Sequence, residues 1–402
     1  MKATKKIFAL LSILIIFGLL LSACGQAAPA EKKTVKISWI GPMTGGNAGP
    51  GLGGKNSFQL AVDQRNANAS SKYKYEAVFI DDECKPDVAV QAALKAASDP
   101  AVVVSISHYC SMTAISTTDT FHNAGLPSIV WGAVLPAITY GNEYPEIMRV
   151  NGTQIQQSDV HAQDMWTLGY RNVSIIYDTS DYGRGHLQYF KEAWLKLGGK
   201  VLSEQGVTTD QQDFTAELTK IKAEDPDAIF FGGLAPLGIP VRKQMVKLGL
   251  KMSFEGTSGI KNESFNTALG ADAEGTVSYL EGAPLGDLPG GKQFQTAFDA
   301  AGFKEPPEAY GAFAYAATVL ALDAIEKVGP DRKLVTDELV KTNNVDSIIG
   351  KITFDSYGQN VVPLVTEYVS QDGKWVPIKS SEYAPGGKRV LPGVLYLQNR
   401  GK

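Results

Sequence analysis

Histidine and cysteine are scarce in this sequence, four and three residues in a chain of 402. No pair has the H-x-x-x-H or C-x-x-C spacing through which a protein usually holds zinc, so no metal or other cofactor is expected. G-x-S-x-G is missing too, which removes the nucleophile elbow of the α/β-hydrolases. Basic clusters are absent and the formal net charge is -4, so nucleic acid is not an expected partner. Beyond Leu21 no apolar run is long enough to cross a bilayer. Hydrophobic residues nevertheless make up 44% of the chain, enough to bury the cores of two ordinary domains.

The first residues stand apart from the rest. Lys2, Lys5 and Lys6 precede an apolar run over 7–21, too short for a comfortable span, and Leu21-Ser22-Ala23-Cys24 closes it. A charged start, a short apolar run and small residues before a cysteine predict a lipoprotein signal peptide over 1–23. Cys24 would become the lipidated N-terminus, anchoring the chain outside the cytoplasm, periplasmic or at the outer surface. The alternative is an uncleaved anchor helix. Residues 24–33 are small and polar, as suits a flexible tether. Cys84 and Cys110 then remain as one pair in an oxidising compartment, where a disulfide is expected. Its loop of about 25 residues would stabilise the fold by roughly 3 kcal/mol. Two reduced, buried cysteines are the other reading.

From Thr34 onward short β-branched runs alternate with amphipathic stretches. Strands are predicted over 35–40, 75–80, 101–106 and 127–130, with helices over 55–66, 86–97 and 111–123 between them. A second series follows Arg149-Val150-Asn151-Gly152. Its helices fall over 156–168, 184–197, 214–223, 237–248, 291–300 and 309–328. Its strands fall over 173–177, 200–204, 228–231, 253–256, 276–280, 349–354 and 361–369. Two βα series without a long linker predict an α/β chain with two doubly wound parallel-sheet lobes and an interlobe cleft. In such sheets a ligand sits beyond the carboxyl ends of the strands, so the loops after Ile40, Ile80, Ile106, Val130, Tyr177, Phe231 and Phe254 matter most.

Those loops carry no catalytic constellation. Gly49, Gly51 and Gly54 satisfy G-x-G-x-x-G, but the match begins nine residues past Ile40 and has no acidic ribose partner at the required distance. A pliable loop is the better reading. His122 and His161 fall on predicted helices, where a lone histidine is structural or solvated; His108 abuts a strand end and could touch a ligand. Asp81-Asp82-Glu83 reads as a solvated loop or as charge at a helix start, because successive side chains diverge. An enzyme is therefore not expected.

Six motifs do form a pattern. Ile40-Gly41-Pro42-Met43-Thr44-Gly45, Asp81-Asp82-Glu83-Cys84-Lys85-Pro86 and Ser107-His108-Tyr109-Cys110-Ser111 come first, followed by Asp181-Tyr182-Gly183-Arg184-Gly185, Phe231-Gly232-Gly233 and Phe254-Glu255-Gly256-Thr257-Ser258-Gly259. In this order they resemble the leucine/isoleucine/valine-binding proteins along the whole mature chain. The resemblance implies the type I periplasmic-binding-protein fold, with three crossovers near 150–153, 281–284 and 355–359. Lobe 1 would comprise 34–152 plus 282–355, and lobe 2 would comprise 153–281 plus 356–402. It also implies the Cys84–Cys110 disulfide, lobe closure around a small-molecule solute and delivery to the permease subunits of an ABC importer. A monomer is expected.

The resemblance also nominates ligand-binding residues: Ser111 with Tyr109 and Cys110, Tyr182 from the second lobe, and Tyr310 as an aromatic wall. Three polar anchors of the family are altered. Its threonine falls on Val134, beside Trp131 and Ala133; a tyrosine falls on Leu234; and the glutamate that meets an ammonium falls on Ser258. Serine supplies no charge to offset a buried cation, and Trp131 adds a flat apolar surface. Two ligand classes follow: an apolar or aromatic carboxylate, or an amino acid whose ammonium is met by Glu255, Asp178 or Asp181. Tyr310 and Trp131 could equally be core residues, and Ser111 a helix cap. A ligand-sensing receptor subunit shares this fold, and an exported hydrolase is a distant alternative.

Overall fold

The computed structural model describes residues 32–361 and 364–400. The leader, Cys24 and most of the tether lie outside the described residues. Among these, no helix is long and apolar enough to cross a membrane.

The first series folds as β1 (Thr34–Gly41), α1 (Ala48–Ala67), β2 (Lys74–Asp81), α2 (Pro86–Ser98), β3 (Val102–Ser107), α3 (Ser111–Asn123), β4 (Ser128–Val130), α4 (Ala137–Tyr140) and β5 (Ile147–Arg149). Its strands form one sheet in the order β2-β1-β3-β4-β5, with every pairing parallel. Helix α2 shows why these residues fold as they do. Pro86 stands in its first turn and Asp87 faces the dipole's positive end, while Ala89, Ala92, Ala93 and Ala96 make one buried stripe. Strand β3 is buried at every position, as a central strand covered on both faces must be.

The second series is α5 (Gln154–Thr167), β6 (Asn172–Asp178), α6 (Asp181–Lys196), β7 (Lys200–Val207), α7 (Thr215–Glu224), β8 (Ala228–Gly232), α8 (Ala235–Lys247), β9 (Ser253–Gly256), α9 (Glu263–Leu269) and β10 (Val277–Glu281). The chain then returns to the first sheet with α10 (Gly291–Ala300), α11 (Gly311–Val328), α12 (Arg332–Leu339) and the hairpin β11 (Val345–Ser347) and β12 (Gly350–Ile352). Arg332 fastens this return, donating to the carbonyls of Val102, Asp99 and Ala97 at 2.9, 2.8 and 3.1 Å. Finally β13 (Val365–Gln371), β14 (Lys374–Pro377) and α13 (Pro392–Asn399) complete the second sheet, ordered β14-β13-β10-β9-β8-β6-β7.

That sheet corrects the expectation of purely parallel pairing. β13 runs antiparallel to β10, and β14 antiparallel to β13. The cause is the route: the chain re-enters beside the end of β10, where Glu281 pairs with Val365, and can only run back along it. Other boundaries move for local reasons. The helix predicted over 184–197 starts at Asp181, because Ser180 caps it by accepting from the Gly183 N–H. The helix predicted from 156 starts at Gln154, behind a capping box of Thr153 and Gln156. The strand predicted over 349–354 shrinks to three residues and pairs with β11 rather than with a sheet.

Three passages join the sheets, at 150–153, at 282–284 and through 353–361, and Arg149 binds the first to the third. Its guanidinium, 0% exposed, donates to Gln359 Oε1 at 2.6 Å, the Leu135 carbonyl at 2.7 Å, Thr139 Oγ1 at 2.9 Å and the Ala133 carbonyl at 3.2 Å. Gln359 Nε2 then donates to the Asn151 carbonyl at 2.8 Å, and Asn360 Nδ2 to that of Val150 at 2.7 Å.

Candidate functional site

Where the two sheets face each other, residues far apart in the chain share one buried apolar cluster. Tyr109, Cys110, Trp131, Val134 and Tyr310 come from the first sheet's side, Tyr182 and Leu234 from the second's. The Tyr109 ring lies 5.8 Å from Trp131 and meets Tyr310 edge-on at 5.9 Å. At the cleft's edge a groove takes Asn47, Lys85 and Met112 from one side and Asp178, Thr209 and Pro236 from the other.

Ser111 opens α3, and Cys110, not Ser111, is the N-cap. The Ser111 hydroxyl instead accepts from the backbone N–H groups of Val134 and Leu135, at 3.3 and 3.2 Å. With its oxygen occupied by the two loop amides, the hydroxyl has its proton left to donate, at a helix N-terminus that favours negative charge. The disulfide behind it joins Cys84 to Cys110 with Cα atoms 5.6 Å apart.

His108 is not at the ligand side. It is 1% exposed, its Nδ1 lies 2.7 Å from Asp82 Oδ2, and its Nε2 lies 3.0 Å from Thr117 Oγ1. Asp82, expected in solvent, is fully buried by that pairing and by accepting from the Cys84 N–H at 2.9 Å. Asp81 diverges as anticipated, accepting from the Met43 N–H and the Thr44 hydroxyl. Trp131 is completely covered, its ring tilted against Trp39 at 5.6 Å and pressed over Gly54, where a Cβ would sit 2.6 Å from its ring. Ala133 is buried below it and its carbonyl accepts from Arg149 and from Asn151 Nδ2.

Across the cleft the Tyr182 hydroxyl is held by its own half: it donates to Thr257 Oγ1 at 3.0 Å and accepts from the Gly259 N–H at 2.8 Å. Ser258 Oγ lies 3.4 Å from it and accepts from Gln157 Nε2 at 3.1 Å. Burial holds the Tyr182 phenol neutral, its pKa pushed above the ordinary value. Of the three nominated carboxylates Glu255 is engaged elsewhere, Asp178 lines the groove at the cleft's edge, and Asp181 is exposed. Glu255 accepts from Ser253 Oγ at 2.6 Å and sits 3.3 Å from His161; Asp178 accepts from the Ser180 N–H at 3.0 Å.

One carboxylate that the motifs did not single out does lie in the site. Glu281, the last residue of β10, is 1% exposed and accepts from the Tyr310 hydroxyl at 2.9 Å through Oε2. Burial raises its pKa, opposed by its own backbone N–H, by Gln157 and Tyr310, and by the charge of Arg149. Gly152 packs directly against its stem, where a Cβ would come within 2.6 Å of Glu281 Cγ. The readable signal was an acid ending an apolar strand at a predicted crossover.

A periplasmic binding protein family model matches residues 34–374. The chain belongs to that family. An amino acid binding protein of Pseudomonas aeruginosa is 30% identical over 327 residues, which is 81% of this chain and 87% of that protein. The leucine-specific-binding protein of Salmonella typhimurium is 28% identical over 346 residues, 86% of this chain and 92% of that one. Among solved structures, a leucine binding protein from Thermotoga maritima superposes with a TM-score of 0.79 at 25% identity, over 85% of this chain and 97% of its own. The family consists of extracytoplasmic, non-enzymatic proteins that bind a small solute and work with ABC transporter permeases. Among the described residues no group of three or more His, Cys, Asp and Glu is placed to hold a metal.

Proposed function

We propose that this member of the family is a lipid-anchored, monomeric binding protein of a branched-chain-amino-acid-type importer. It takes a small amino-acid-like or apolar carboxylate solute into the cleft between its sheets. The moving lobes are 34–152 plus 282–355 and 153–281 plus 356–402, and the anchor is Cys24. The observation that carries the reading is the meeting of Tyr109 and Cys110 with Tyr182 and Leu234 in one buried cluster drawn from both sheets, with the buried Ser111 next in sequence to Cys110. Two helix starts, those of α3 and α6, contribute to it, and both favour negative charge. Val134, Leu234, Tyr109 and Tyr310 supply apolar walls, and Cys110 fixes the first loop through its disulfide.

The test is a thermal-shift screen of amino acids, amides and aromatic acids on the mature protein, followed by calorimetry on those that stabilise it. A solute bound only by the native state raises stability by about 2.7 kcal/mol at one hundred times its Kd. If no small solute stabilises the protein, or Tyr182→Ala and Ser111→Ala leave affinity unchanged, the reading fails. Radiolabelled lipid should label the wild type and not Cys24→Ser, and light scattering should return the mass of one chain.

A further inference from the structure

We infer that Glu281, with Gln157 beside it, receives a positively charged nitrogen of the solute, so that the ligand is a zwitterion and not a simple carboxylic acid. This rests on the solute-binding reading above and specifies its ligand.

The argument is one of unmatched acceptors. Glu281 is 1% exposed and its Oε2 accepts from Tyr310; its own N–H and the Gln157 amide lie near enough to favour the charge, but Oε1 has no donor at hydrogen-bonding geometry. Gln157 is 2% exposed; its nitrogen is committed to Ser258 Oγ at 3.1 Å, and its Oε1 also lacks a donor. A buried carboxylate with one oxygen unbonded is strongly disfavoured unless a cation or a proton meets it. Neither Arg149 nor Lys261, which lines a cavity with Glu281, makes that contact. Arg149 lies close enough to favour the charge, but its Nε, Nη1 and Nη2 donate to Gln359, Ala133, Leu135 and Thr139. The apolar walls Val134 and Leu234 bring no side-chain donor either. An ammonium, by contrast, carries three donors and no acceptor, the inverse of what Glu281 and Gln157 present.

The opposite end of the cleft is complementary. The Ser111 hydroxyl, whose oxygen already accepts from the Val134 and Leu135 amides, has its own proton to donate, and it stands at the start of α3. A solute with a carboxylate at one end and a protonated amine at the other satisfies both ends, whereas a benzoate-like acid leaves Glu281 to be protonated.

The experiment is isothermal titration at pH 7 with matched pairs: leucine against 4-methylpentanoate, and phenylalanine against 3-phenylpropanoate. Wild type is compared with Glu281→Gln, which keeps size and the Tyr310 contact, and with Gln157→Leu. The amine-bearing member of whichever pair binds should be preferred by about 100-fold in the wild type. Glu281→Gln should weaken it by about 30-fold or more while changing the des-amino acid by less than about 3-fold. Gln157→Leu should weaken it by about 5-fold. Melting curves of the ligand-free variants establish that they are folded. Equal affinity for both members in the wild type, or an unchanged affinity in Glu281→Gln, overturns the inference. If the des-amino acid binds better and Ser111→Ala still weakens it, solute binding stands and only the zwitterion falls. If no member of any pair binds, nor any solute of the wider screen, both fall.

Discussion

Replacing Arg149 by methionine tests whether the crossovers are held by its hydrogen bonds or merely by chain connectivity. The guanidinium is fully buried, and burial lowers its pKa to about 10, so solvation is forfeited in exchange for its four contacts. Those contacts are hydrogen bonds from a charged donor, each contributing about 1.5–3 kcal/mol before desolvation is subtracted. None of the four acceptors is orphaned by the change. The Ala133 carbonyl keeps Asn151 Nδ2 at 3.1 Å, that of Leu135 keeps the Ile138 N–H at 3.2 Å, and Gln359 Oε1 and Thr139 Oγ1 keep each other at 3.1 Å. The expected loss is therefore moderate, about 2–4 kcal/mol, instead of the larger cost of an unpaired buried charge. Arg149→Lys should lose about half as much, since an ammonium meets fewer acceptors and lacks the planar fork. Urea unfolding followed by tryptophan fluorescence and by circular dichroism would measure both. If Arg149→Met stays within about 0.5 kcal/mol of wild type, the guanidinium does not hold the passages together and the argument is wrong.

Ser111→Ala should weaken ligand affinity by about 1–3 kcal/mol, read by calorimetry, and should also lower the melting temperature slightly because the Val134 and Leu135 amides lose their acceptor. Cys84→Ser with Cys110→Ser should cost about 3 kcal/mol, for a loop separation of 26 residues, and reductant should destabilise the wild type but not the double variant. Gly54→Val should fail to fold well or melt markedly lower, since even a Cβ would sit 2.6 Å from the Trp131 ring; a wild-type melting curve would refute the packing. Glu367 is raised to about 8, by burial first and then by the charges of Asp164 and Glu255. Its folded form therefore holds a proton that the unfolded chain releases near the ordinary value of 4.5, so its contribution to stability falls as pH rises from about 5 to about 8. Glu367→Gln should flatten that part of the stability–pH curve.

The alternation of strands and helices was legible because period and punctuation are local. Pro86 and the alanine stripe of α2 announce that helix from within its own thirteen residues. The antiparallel β13 was not, because its direction depends on where the third passage re-enters, beside Glu281. The helix starts at Asp181 and Gln154 were missed by two or three residues because caps are single side chains outside the apolar period. The site divides in the same way. Tyr109, Tyr182 and Tyr310 sit in or beside recognisable loops, and the fold brings them together. Trp131 stood in such a loop too, yet Gly54 and Trp39 cover it, something only the packing of α1 on β1 determines. Glu281 ends a run that reads as buried strand, so its side chain drew no notice until Tyr310, nearly thirty positions away, was seen to donate to it.

The cleft is electrically divided, and the division follows from how it is built. On the first sheet's side the donor is the Ser111 hydroxyl at the start of α3, its oxygen held in place by the Val134 and Leu135 amides. Its position is set by backbone groups of the fold. On the other side the acceptors without donors are side-chain oxygens, Glu281 Oε1 and Gln157 Oε1. These can be changed one residue at a time without disturbing the sheet. Recognition of the carboxylate would thus belong to the architecture, and recognition of whatever lies at the other end to two or three side chains. A family built this way can keep one grip on an acid while altering its partner group. Here a buried carboxylate, Glu281, stands at the second passage, across the cleft from Ser111.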